Sequence, residues 1–162
     1  MNATEVFEAI RAFGEHEHHD LARGLDHIHD AACGVAVGSR VDDLRAIRDV
    51  LRWSATTLEP HMTWEEAWLY PQIDAMTGTP WATRAARFDH GQIKGLANRL
   101  QRDAELVGDG LTPGTADDVR CHLFAYEALL RGHIDREERL LLPVLVDEAA
   151  GAGLRVGGRS PT

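Results

Sequence analysis

The sequence predicts an all-α protein: one up-down-up-down four-helix bundle over residues 1–150, followed by a flexible C-terminal tail at 151–162. Three observations predict it. Four long stretches carry a helical period, short Gly/Pro/Thr segments separate them, and nothing alternates with the period of a strand. At 162 residues the chain can bury one proper core and is too short for two comfortable ones.

The first stretch runs from about Thr4 to Ala32, where CGVAVGSRVD breaks it. The second starts near Asp42 or Asp43 and continues to about Met76. TGTP follows, with Thr79 placed as an N-cap and Pro80 as the first helical residue of the third stretch, which ends near Val107 at GDGLTPG. The fourth begins near Thr115, where Thr-Ala-Asp-Asp offers a cap and first-turn acids, and ends near Ala150. The remaining GAGLRVGGRSPT has little to bury, hence the tail. Pro60 and Pro71 fall inside the second stretch and Pro143 inside the fourth, so kinks are expected there.

Residues spaced alternately three and four apart face the core of a bundle. The first helix then presents Phe7, Ile10, Gly14, His18, Leu21, Leu25, Ile28 and Ala32. The second presents Leu44, Ile47, Leu51, Ser54, Leu58, His61, Glu65 and Trp68. Ala86, His90, Ile93, Ala97, Leu100, Ala104 and Val107 line the third, and Val119, Tyr126, Leu130, His133, Glu137, Leu140 and Val144 the fourth. Every inner stripe carries a histidine, and two carry a glutamate one turn later. A near repeat underlies this: HMTWEEAWLYPQI at 61–73 returns as HIDREERLLLPVL at 133–145.

Imidazoles and carboxylates buried without partners are costly, and the carboxylate is the worse of the two once ionised. Bound cations would compensate. Side chains at i and i+4 share a helical face about 6 Å apart in rise, so each His-x-x-x-Glu can converge on one site. His18, His61, His90 and His133 supply four nitrogens, and Glu65 and Glu137 can each span two cations. Two metals would then hold two histidines and two carboxylate oxygens each. An octahedral ion would keep about two positions for solvent, an oxo or hydroxo bridge, or a diatomic ligand. A single His-x-x-x-Glu is weak evidence, commonly a solvated ion pair. Two copies on inner seams, with a seam histidine on each remaining helix, are much harder to obtain by accident.

The other histidines read differently. His16, His19 and His27 lie off the seam, although a modest rotation of the first helix would exchange His18 for His19. His29 shares the azimuth of His18 three turns along, too far to join it, and His122 reads as core or surface. Glu66 and Glu138 read as solvated, within reach of a metal if the helix is distorted. Trp64, Trp68 and Tyr126 read as core, or as a shell limiting solvent access. Lys94 reads as a surface charge.

A formal charge of −9 argues against nucleic acid as a partner, since phosphate binding needs a basic stripe. No apolar run approaches a membrane span. The N-terminal residues lack a secretory pattern, and Cys33 and Cys121 read as reduced thiols, so a cytoplasmic protein is expected. Oligomeric state and any signalling partner are not legible.

The motifs HHDLARGLD, HMTWEE, DHGQIKGL and HIDREE, spread over residues 16 to 145, resemble the hemerythrin-like, or HHE cation-binding, domains. That resemblance implies two non-haem iron ions with an oxo or hydroxo bridge. His18 and His61 would serve one iron, His90 and His133 the other, and Glu65 and Glu137 would bridge. It implies binding of O2 or a related small oxidant, peroxide or NO, for sensing, scavenging or storage. One departure matters: oxygen-carrying relatives have a second histidine one turn after the first on the third helix, and here that place is Lys94. This favours, as the alternative, a catalase- or peroxidase-like enzyme decomposing hydrogen peroxide. Manganese and zinc suit the same ligand types, and a third reading is a bundle whose zinc only locks the fold. A ferritin-like di-iron site needs Glu-x-x-His twice. Glu15 to His18 supplies it once, so that reading ranks low.

Overall fold

A computed structural model describes residues 3–110 and 112–145, with side chains described at 10, 14 and from 17 onward. Helix α1 is Ala3–Gly34, α2 spans residues 40–77, α3 is Trp81–Asp109 and α4 spans residues 113–145. Each rod packs against its neighbours in sequence, and α1 closes the ring against α4. This is the expected bundle, with no strand among the described residues. The predicted end of the fourth helix near Ala150, the tail 151–162 and the side chains of Phe7, Glu15 and His16 lie outside the described residues.

Capping chemistry shifts three of the expected starts. Helix α2 begins at Arg40 because Ser39 caps it: Ser39 Oγ accepts the Asp42 N–H at 3.2 Å, and the Asp42 carboxylate accepts the Ser39 N–H at 3.3 Å. Asp42, expected near the start, is the third helical residue of a reciprocal capping box. Helix α4 begins at Pro113 for the same reason. Thr112 is the cap, and Thr115, expected at the start, is its reciprocal partner. In α3, Pro80 occupies the cap position and Trp81 is the first helical residue; Thr79 Oγ1 still accepts the Trp81 N–H at 3.3 Å. Helix α2 ends at Gly78, whose φ of +67° is the left-handed conformation glycine adopts at little cost.

The three internal prolines produce widened turns. Helix α2 contains π turns at Ser54–Leu58 and Glu65–Leu69, and α4 one at Glu137–Leu141. Each ends two residues before a proline: Pro60, Pro71 and Pro143. A proline ring crowds the carbonyl four residues back, here that of Thr56, Ala67 or Arg139, and each of those lies inside the widened turn. The extra residue rotates everything after it. Hence Leu69 and Leu141 face inward, 3% and 7% exposed, while the expected seam residues Trp68 and Leu140 are 64% and 63% exposed. Val144 is only partly buried, and Leu145 takes the inner position. A strict three-four spacing misplaces these residues because it assumes a regular helix.

Before the π turns near the site most of the seam residues are buried, but Leu44, Leu51 and Ala97 are only partly so, and Asp43 and Val50 take inner positions on α2. Ser54, a hydroxyl in the core, is 2.6 Å from Tyr126 Oη, and burial pushes the Tyr126 phenol up to about 12 even against that bond. The apolar interior forms two clusters. The larger includes Leu21, Leu58, Ile93 and Leu130; the smaller includes Ile10, Leu69, Ile73, Ala86 and Leu141. On every helix the buried histidine falls between them.

Candidate metal centre

His18, His61, Glu65, His90, His133 and Glu137 are all buried, and His18, at 7%, is the most exposed of them. They form two groups that could each hold a cation: His18, His61, Glu65 and Glu137, and Glu65, His90, His133 and Glu137. Within each group, one ligand atom per residue lies within 4.8 Å of all the others. Glu65 and Glu137 belong to both. His61 Nε2 is 2.9 Å from Glu65 Oε1, and His90 Nε2 is 3.3 Å from Glu65 Oε2, so the two oxygens of Glu65 face different halves. Glu137 Oε2 lies 3.5 Å from His133 Nε2 and 3.7 Å from His18 Nε2.

All four imidazoles aim Nε2 at the centre and Nδ1 at an outer carboxylate. His90 Nδ1 is 2.8 Å from Glu66 and His18 Nδ1 is 3.1 Å from Glu138. His61 Nδ1 is 3.7 Å from Glu17, and His133 Nδ1 is 3.7 Å from Asp89. Arg136 donates to Asp89, and Lys94 Nζ stands 3.7 Å from Glu66. At His90 and His18 the hydrogen-bonded carboxylate holds the proton on Nδ1 and leaves the Nε2 lone pair free for a cation, whereas Glu17 and Asp89 stand beyond hydrogen-bond distance. Glu66 and Glu138, read from the sequence as solvated, reach histidines of the neighbouring helices.

Tyr70 adds a hydroxyl at the centre. It follows Glu65 by five residues, and the intervening π turn brings it inside, fully buried. Its hydroxyl donates to Glu137 Oε1 at 2.5 Å and lies 3.1 Å from His90 Nε2. Burial, followed by the charges of Glu137 and Glu65, pushes the phenol well above its ordinary range, so it stays protonated and donates. The matching position of the repeat is Leu142, so this hydroxyl has no counterpart there.

The site's electrostatics fit a cation. Burial raises the Glu137 pKa and the charge of Glu65 raises it further. Burial also opposes ionisation of Glu65, yet the neighbouring imidazoles of His61 and His90 outweigh it and hold Glu65 low. Without a cation the facing carboxylates therefore share a proton. Burial, reinforced by His90, lowers His133 to about 4. Glu65 Oε2, Glu137 Oε2 and His133 Nδ1 are buried without a hydrogen bond. His90 Nε2 and His133 Nε2 are 3.1 Å apart, close to the roughly 3 Å that separates two ligands at a right angle on an ion about 2.1 Å away. The residues present fit two cations.

The remaining histidines are elsewhere. His19 and His27 are exposed, which resolves the alternative between His18 and His19 in favour of His18 as the buried residue. His29 is on the surface beside Glu127, not on the inner face, and His122 bonds Asp103 at 2.8 Å. Trp64 is half-buried against the smaller apolar cluster, Tyr126 belongs to the larger one, and Trp68 is too exposed to shield anything. Sequence reasoning missed Tyr70, Glu17 and Asp89. The repeated Glu-Glu pair could have pointed to Glu66 and Glu138, and a histidine directly preceded by an acid, Asp89-His90, could have pointed to Asp89.

The sequence model of the hemerythrin HHE cation binding domain matches residues 10–145, nearly the whole described bundle. The chain belongs to the hemerythrin HHE cation-binding family. No curated protein and no solved structure gave a significant match. Among the described residues, no helix is long and apolar enough to cross a membrane.

Proposed function

We propose that this is a non-haem di-iron protein binding O2 or a related small oxidant, peroxide or NO, for sensing, scavenging or storage. One observation carries the reading: the two four-residue groups share both carboxylates, which suits a pair of ions side by side. His18 and His61 would hold one iron, His90 and His133 the other, with Glu65 and Glu137 spanning both. Bound iron would supply one-electron redox chemistry and positions open to a small molecule. The chain's own groups do the rest. Glu66 and Glu138 fix His90 and His18, Tyr70 steadies Glu137, and the apolar clusters on either side restrict water.

A second reading, catalase- or peroxidase-like turnover of hydrogen peroxide, is favoured by Lys94. Its ammonium is 46% exposed beside Glu66 and offers the centre no nitrogen in place of the second third-helix histidine of oxygen carriers. Fewer protein ligands leave more room for reactant. The test is to load the protein anaerobically with ferrous iron and expose it in turn to O2, NO and peroxide. About two irons per chain are expected, with a visible absorption band that each oxidant alters. A colourless protein holding less than one metal would overturn the proposal. Release of O2 from peroxide, above that of free iron, separates turnover from binding.

A further inference from the structure

His29 belongs to a second constellation, on the surface between α1 and α4. Its Nδ1 lies 3.0 Å from Glu127 Oε2, and its Nε2 is 3.6 Å from Sγ of Cys33, one turn along α1. The other oxygen of Glu127 accepts from Arg131 at 2.9 Å. Burial opposes ionisation of Glu127, but the hydrogen bonds from Arg131 and His29 outweigh it and hold the carboxylate below its usual range. The Phe124 ring meets the imidazole edge-on at 5.8 Å and limits its rotation.

These are the parts of an assisted nucleophile: a thiol, a base within reach of it, and an acid orienting the base. An ionised carboxylate keeps the imidazole proton on Nδ1, so the Nε2 lone pair faces the thiol. Cys33 is exposed, so a reactant can reach it. Cys121 is exposed too, but among the described residues no imidazole is hydrogen-bonded to its sulfur, and the adjacent His122 bonds Asp103.

We propose that Cys33 is a peroxide-reactive thiol, with His29 as its base and Glu127 positioning His29. The sulfur attacks one oxygen of hydrogen peroxide, an S–O bond forms and the O–O bond breaks. His29 Nε2 takes the thiol proton and passes it to the leaving oxygen, which departs as water. Sulfur is oxidised by two electrons to the sulfenic acid, and peroxide is reduced. The metal centre takes no part.

The test uses the full chain as isolated, at neutral pH, with Cys121 as the internal standard. Two probes are run separately: limiting hydrogen peroxide with dimedone as trap, and iodoacetamide, which alkylates thiols without any oxidant or metal. Peptide mass spectrometry reads each cysteine. Cys33 is expected to label at least about tenfold faster than Cys121 with both probes, as base assistance implies. His29→Gln should bring Cys33 down to the Cys121 rate, and Glu127→Gln should lower it part of the way. Equal rates in the unaltered protein, or a Cys33 rate unchanged in His29→Gln, would overturn the proposal. Circular dichroism verifies folding, and if both variants unfold, the comparison within the unaltered protein decides. The alkylation result is independent of iron, so its failure cannot be mistaken for failure of the di-iron reading.

Discussion

Glu66 holds His90 by its outer nitrogen, Oε1 to Nδ1 at 2.8 Å, while the preceding residue, Glu65, faces the same ring's Nε2. Glu138 repeats the relationship with His18 at 3.1 Å. In each copy of the repeat the first glutamate faces the centre and the second orients an imidazole on the neighbouring helix.

Glu66→Gln is therefore expected to weaken metal binding by about 10- to 100-fold, as loss of an outer carboxylate commonly does, while keeping the stoichiometry at saturation. Competition with a calibrated chelator measures it. Unchanged affinity would show that Glu66 does not support His90.

The inward groups should be far less tolerant. His61→Ala or Glu137→Ala is expected to remove binding of the metal pair, whereas His27→Ala, on an exposed residue, should leave metal content unchanged. Metal analysis of the purified variants decides, and full content in His61→Ala would exclude that residue.

Tyr70→Phe removes the donor to Glu137 Oε1 and leaves a buried oxygen without that bond. A loss of about 1–3 kcal/mol in the stability of the metal-free protein follows. Urea denaturation reads it, and no change would mean that the hydroxyl contributes nothing there.

The register shift has its own signature. Leu141→Ala is expected to cost about 2–5 kcal/mol, since Leu141 is 7% exposed, and Leu140→Ala little, since Leu140 is 63% exposed. A regular helix would give the reverse order in thermal denaturation.

Acid should act through His133, whose pKa falls from its ordinary 6.5 to about 4 in the metal-free fold, first through burial and then through His90. Between those values the unfolded chain binds the extra proton. This contribution, about 3 kcal/mol, is thus complete above about pH 6.5 and is lost as pH falls through about 4. Bound cations also require neutral imidazole, so metal release should accompany the loss. Urea midpoints of metal-free protein at pH 7.5, 5.5 and 4.5 measure it; a flat series would remove His133 as the cause.

The helices and the six inward-facing side chains were legible because burial of ionisable groups is costly enough to make seam histidines informative. What followed them along the helices was not. Trp68 and Leu140 were placed inside by a spacing that Pro71 and Pro143 disturb, and the same distortion carries Tyr70 to the centre. Ser39 and Thr112 were overlooked as caps because the acids and threonine after them also suit a helix start. Glu17 and Asp89 act across helices, through contacts a one-dimensional pattern does not contain.

In the proposed centre Glu65 and Glu137 belong to two cation positions at once. Anomalous diffraction at the iron edge, from crystals of iron-loaded protein, should then show two peaks flanked by these carboxylates, one beside His18 and His61 and one beside His90 and His133. A single peak, or peaks away from both glutamates, would contradict it.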